Sequence, residues 1–90
     1  MSVMVHIPTI LRTFTNNQKT VTTSGESICE VINNLDIDFP GIKDRLVKEE
    51  EIHGFINLYV NDDDIRFGEG LKTTVKVGDV ITILPAVAGG

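Results

Sequence analysis

Gly78-Asp79-Val80-Ile81-Thr82-Ile83-Leu84-Pro85-Ala86-Val87-Ala88-Gly89-Gly90 is the stretch on which the reading of this chain turns. A tight turn at Gly78-Asp79 leads into a run of β-branched and aliphatic residues. Its alternation predicts a strand with Ile81 and Ile83 on one face and Val80, Thr82 and Leu84 on the other. Pro85 has no N–H to give to a ladder, so the strand is expected to stop there. No side chain after it carries a charge. The division expected is a globular domain over residues 1–84 and a flexible tail over 85–90, with the terminal carboxylate of Gly90 as the working group.

Working outward, Val3, Val5 and Ile7 alternate with Met4 and His6, the period of a half-buried strand, and Pro8 ends it. Residues 13–17 read as a turn in which Asn16 and Asn17 adopt positive φ. The β-branched run 19–23 returns as the hairpin partner. Ser24-Gly25-Glu26-Ser27 offers two N-cap serines, and Ile28, Val31, Ile32 and Leu35 fall at i, i+3, i+4 and i+7, which predicts one amphipathic helix closed by Pro40-Gly41. A short helical turn is expected over 44–47, and Lys48-Glu49-Glu50-Glu51 reads as a solvated loop. Ile56, Leu58 and Val60 mark the next strand. Residues 61–64 turn the chain, and Ile65-Arg66-Phe67 is expected as a short edge strand. Residues 71–77 cross back with scattered apolar anchors. Hairpin, helix, strand, short strand and strand make an α+β chain: a mixed four- to five-stranded sheet with one main helix across it, the β-grasp or ubiquitin-like arrangement, with first and last strands parallel and central.

Bulk properties narrow the function. Ninety residues suffice for a single core, and a net charge of −5 lacks the basic face that nucleic acid demands. No apolar run is long enough to span a bilayer, and no basic n-region marks a signal peptide, so a cytoplasmic protein is expected. The single cysteine, Cys29, excludes an internal disulfide; beside the apolar helical face it is expected as a packed thiol. His6 and His53 have no zinc-like spacing, and Asp62-Asp63-Asp64 lacks the offsets of a calcium loop, so no metal site and no bound cofactor are expected. No nucleophile–base set or phosphate-cradling loop is recognisable either, which points to a substrate terminus and not a catalyst.

The closing motif from Gly78 to Gly90, together with the opening Val-x-Ile-Pro strand and Tyr59-Val60-Asn61-Asp62, resembles the MoaD/ThiS sulfur-carrier family along the whole chain. Ile7-Pro8-Thr9-Ile10-Leu11-Arg12, Asp64-Ile65-Arg66-Phe67 and Ile83-Leu84-Pro85-Ala86-Val87-Ala88-Gly89-Gly90 look like the CysO-like branch, carriers for cysteine biosynthesis. The resemblance implies that an E1-like adenylating and sulfurtransferase partner, using ATP and Mg, activates the Gly90 carboxylate, and that a sulfur donor displaces AMP to leave a thiocarboxylate. A pyridoxal-phosphate-dependent cysteine synthase would take the sulfur, and a zinc peptidase would release the product. The alternatives within the resemblance are the small subunit of molybdopterin synthase, pairing with its large subunit, and a ThiS carrier for thiazole synthesis. Outside it stand a ubiquitin-like protein modifier and a non-covalent binding module.

The residue types suit that chemistry. A carboxylate becomes a usable electrophile only as a mixed anhydride, and Gly90 leaves its carbonyl uncrowded while Gly89 lets donors approach closely. Residues 85–90, if extended, reach roughly 20 Å, enough to thread a buried site. Pro85, Ala86, Val87, Ala88 and Gly89 are the expected channel residues, and threading them desolvates no charge. Leu84, on the less covered face, is the candidate docking anchor; an ordinary semi-buried strand residue explains it equally well. Val87 reads either as a pocket-filling group or as a solvated tail residue. A frayed terminus or cloning remnant is the bland reading of the Gly-Gly end itself.

Overall fold

The computed structural model describes residues 2–85. Strand β1 (Val3–His6) pairs antiparallel with β2 (Thr20–Thr23), Val3 opposite Thr23 and His6 opposite Thr20. Their connection is not a tight turn. It makes a 3-10 turn at Thr9–Leu11, buries Leu11, and passes Asn16 and Asn17, both in left-handed backbone as their residue type predicts. Thr15, fully buried just before them, donates its hydroxyl to Gln18 O at 3.0 Å.

Helix α1 (Ile28–Asp38) lies across the sheet and buries the four expected residues, Ile28, Val31, Ile32 and Leu35. Ser27 is its N-cap, with Oγ accepting from Glu30 N at 3.2 Å. At the other end Asp36 Oδ1 accepts from both Gly41 N and Lys43 N, fixing the corner into α2 (Ile42–Leu46). That second helix starts two residues earlier than the sequence suggests, because Ile42 and Leu46, one turn apart, are both fully buried.

Two local expectations are corrected. The charged run 48–51 is not a loop: β3 (Val47–Lys48) and β4 (Glu51–Ile52) form a two-stranded ribbon, with Val47 opposite Ile52 and the turn made by Glu49 (φ 54°) and Glu50 (φ 66°). Left-handed backbone at both central residues is what a two-residue hairpin requires, and half-buried Val47 and Ile52 supply the apolar anchors that offset two ill-suited glutamates. Likewise Ile65–Phe67 is a 3-10 turn and not an edge strand. Asp64 Oδ1 caps it by accepting from Arg66 N at 2.9 Å, and Ile65 is buried beneath. The edge strand is β6 (Asp63–Asp64), following a turn at Asn61-Asp62 after β5 (Ile56–Val60).

The last strand, β7 (Val80–Pro85), runs parallel to β1 and antiparallel to β5, giving the order β2-β1-β7-β5-β6. Asn61 locks its start: Asn61 Oδ1 accepts from Val80 N at 3.1 Å and Asn61 Nδ2 donates to Asp79 Oδ1 at 3.2 Å. Inward side chains of the four long strands, α1, α2 and Val75 of the crossing segment make one continuous core. The β-grasp arrangement, with first and last strands parallel at the centre, is therefore the fold.

Candidate functional site

The site begins where β7 leaves the sheet. Ile81 and Ile83 are each 1% exposed and nail the strand into the core, while Leu84 turns outward at 45% exposure. Leu84 stands opposite Asn57, and Pro85 opposite Ile56. Pro85 is thus the last residue of the ladder, its ring nitrogen offering no hydrogen to the neighbouring strand. The other residues expected to thread a partner channel, Ala86, Val87, Ala88 and Gly89, and the expected reactive residue Gly90 lie outside the described residues.

The sheet face away from α1 carries the outward residues of four strands: Met4 and His6, Thr20 and Thr22, Asn57 and Tyr59, Val80, Thr82 and Leu84. None of these is a carboxylate, an ammonium or a guanidinium; the carboxylate of the face is at its edge, Asp64 of β6, opposite Tyr59. His6 is on this face too, its Nδ1 3.2 Å from Thr20 Oγ1. Such a face desolvates cheaply against another protein, because few charges lose their hydration.

A second feature at the root escaped the sequence reading. The Arg66 guanidinium donates to Asn57 Oδ1 (3.0 Å), His53 O (2.9 Å) and Ile56 O (2.6 Å). One side chain from the turn after β6 thereby fixes the segment leading into β5, the strand that faces Leu84 and Pro85. Charge-assisted bonds to carbonyls are the stronger kind. The His53 ring rests on Phe55, centroids 4.8 Å apart, and Phe55 remains 75% exposed. In the sequence Arg66 is marked only as part of the Asp64-Ile65-Arg66-Phe67 stretch, which says nothing of what its guanidinium holds.

Cys29 corrects another expectation. It is exposed, not packed, with Asn33 Nδ2 3.8 Å from its sulfur. One residue along a helix is a rotation of about 100°, which carries position 29 off the stripe set by Ile28 and Ile32. Among the described residues no group of three or more His, Cys, Asp or Glu is placed to hold a metal ion, and no helix is long and apolar enough to cross a membrane.

Comparison with known proteins fits this geometry. The family model described as the ThiS family matches residues 5–90. Over 93 aligned residues, covering all of both chains, the sequence is 50% identical to the sulfur carrier protein CysO of Mycobacterium bovis. The crystal structure of the Amycolatopsis orientalis BexX/CysO complex contains a chain that superposes with a TM-score of 0.92 at 57% identity, covering 98% of this chain and 99% of that one. Mycobacterium tuberculosis CysO superposes at 0.90 with 48% identity, over 94% and 99% of the two chains. The chain therefore belongs to the ThiS family of β-grasp proteins, with CysO sulfur carriers among its full-length relatives.

Proposed function

We propose that this protein is a sulfur carrier for cysteine biosynthesis, working through the carboxylate of Gly90. The observation that carries the reading is the placement of β7: a strand clamped at the centre of the sheet ends at Pro85 and is followed in sequence by five uncharged residues closing on Gly-Gly. The full-length likeness to CysO supports the choice of pathway. The protein is a small carrier and not a catalyst.

The proposed chemistry needs an ATP-dependent, Mg-using activating enzyme. A Gly90 carboxylate oxygen attacks the α-phosphorus of ATP, pyrophosphate leaves, and a mixed anhydride remains. Hydrosulfide, the simplest donor, then adds to the acyl carbon; the bond to the AMP oxygen breaks and AMP departs with the electron pair. The product is a thiocarboxylate. This chain contributes an acyl carbon without a Cβ beside it and a tether free of charge. It holds no cofactor of its own in this reading. A pyridoxal-phosphate-dependent cysteine synthase is the acceptor, a zinc peptidase releases the product, and the site of action is the cytoplasm. The Amycolatopsis relative, present in a complex with BexX, supports docking on a partner protein as the working mode.

Intact-mass analysis tests this. After incubation with the activating enzyme, Mg-ATP and sulfide, the mass should change by one oxygen replaced with sulfur, and fragmentation should place it on Gly90. Stable pairing with a molybdopterin-synthase large subunit, and none with a cysteine synthase, would overturn the assignment of pathway.

A further inference from the structure

The reach of the tail limits where an enzyme acting on Gly90 can sit. Residues 86–90, fully extended, span about 17 Å. An active site deep enough to exclude water must therefore bring its rim onto the carrier close to Pro85. Strand β7 rises about 3.3 Å per residue, so its Val80 end lies about 17 Å behind Pro85. Four exposed apolar side chains lie away from the tail's root: Met4, opposite Val80, Val77, just before the turn into β7, Ile37, beside Thr22 and Thr23, and Phe67, which shares a groove with Asn61 and Asp62. Three belong to the near end: Leu84, and, at 75% and 59% exposure, Phe55 and Ile10. Phe55 directly precedes Ile56, the partner of Pro85. With Phe14, His53 and Ile56, the side chains of Ile10 and Phe55 wall a groove of about 430 Å³.

We propose that this groove is the docking site for the enzyme that activates Gly90, with an apolar side chain of that enzyme seated between Ile10 and Phe55. The inference rests on the carrier reading above. Contacts from outside the groove brace its walls. Arg66 holds the carbonyls of His53 and Ile56, the His53 ring backs Phe55, and the Arg45 guanidinium lies over Phe14 at 5.9 Å from the ring centroid. An aromatic ring held in place yet open to solvent loses little freedom on binding, which is the character of a hot spot.

The test uses the full chain and the enzyme that gives the wild type its mass change at Gly90. AMP formation is followed while the carrier concentration is varied, for the wild type and for Phe55→Ala, Ile10→Ala, Val77→Ala and Ile37→Ala. The near-end variants are expected to raise KM for the carrier about tenfold or more with kcat within about twofold. Phe55→Leu should recover most of the loss, and the far-end variants should match the wild type. Thermal melts of the same samples separate a docking defect from a folding defect. Equal KM for Phe55→Ala and the wild type overturns the proposal, as does a fall in kcat alone. A wild-type dimer that Phe55→Ala converts to monomer would assign the groove to a second copy. Groove-side protection from hydrogen exchange that vanishes on removing residues 86–90 would assign it to the chain's own tail. If the wild type is not activated at all, the carrier reading itself fails, a result distinct from equal KM values.

Discussion

Ile56 and Pro85 face each other as the last register pair of the β5–β7 ladder, and the carbonyl of Ile56 is held by Arg66 at 2.6 Å. The exit of the tail is thus braced from a turn distant in sequence. Arg66→Ala removes three hydrogen bonds and leaves two carbonyls to water. Because Arg66 is itself largely exposed, the loss should be about 1–2 kcal/mol and not the sum of three bonds. Urea unfolding of the variant reads this as a shifted midpoint at constant m. Arg66→Lys, lacking the planar fork, should recover less than half; full recovery by lysine would show that charge alone matters.

Removing Gly89 and Gly90 touches no described core residue. The truncated protein should melt with the wild type, within about 0.5 kcal/mol, and accept no adenylate. Sulfur transfer surviving this truncation would end the carrier reading.

The β3–β4 turn is built from two glutamates in left-handed backbone, φ 54° and 66°. Glycine avoids the Cβ clash there and asparagine tolerates it, so Glu49→Asn with Glu50→Gly should raise stability by about 1 kcal/mol. The melting temperature measures it, and an unchanged or lowered value would argue against that turn geometry.

Cys29 should react with a thiol reagent in the folded state at a rate close to that of the unfolded chain, since it is exposed. Cys29→Ser should leave stability within about 0.5 kcal/mol. Slow labelling, or a loss of several kcal/mol, would return the residue to the packed interior.

Asn61→Ala should cost about 1–3 kcal/mol, because Val80 N loses its acceptor and Asp79 Oδ1 its donor where β7 begins. Amide exchange at Val80 gives the local readout, and unchanged protection there would refute the role.

Sequence periodicity made the long elements legible. Ile28, Val31, Ile32 and Leu35 repeat at the helical period and bury together; Ile56, Leu58 and Val60 alternate and bury together. Where residues are few and exposed, period carries little information. The Glu49-Glu50 turn has neither glycine nor asparagine, so its conformation was set by the Val47–Ile52 pair and not by local preference. Ile65-Arg66-Phe67 has a strand-like composition, yet one capping bond from Asp64 decided otherwise. The root of the tail was visible in Ile81, Ile83 and Pro85. Its brace was not, because Arg66 meets His53 and Ile56 from 13 and 10 positions away, and a contact at that separation leaves no local mark.

The central position of β7 has a consequence for biosynthesis. Without that strand the sheet falls into two unjoined pieces, β2 with β1 and β5 with β6. The strand that joins them is also the one that follows all the others in order of translation. A nascent or prematurely stopped chain therefore has no centre to close around and remains open to proteases. Closing the sheet and carrying the chain to Pro85 are completed by the same few residues, so a chain that reaches Pro85 in its ladder register has already joined both halves of its sheet.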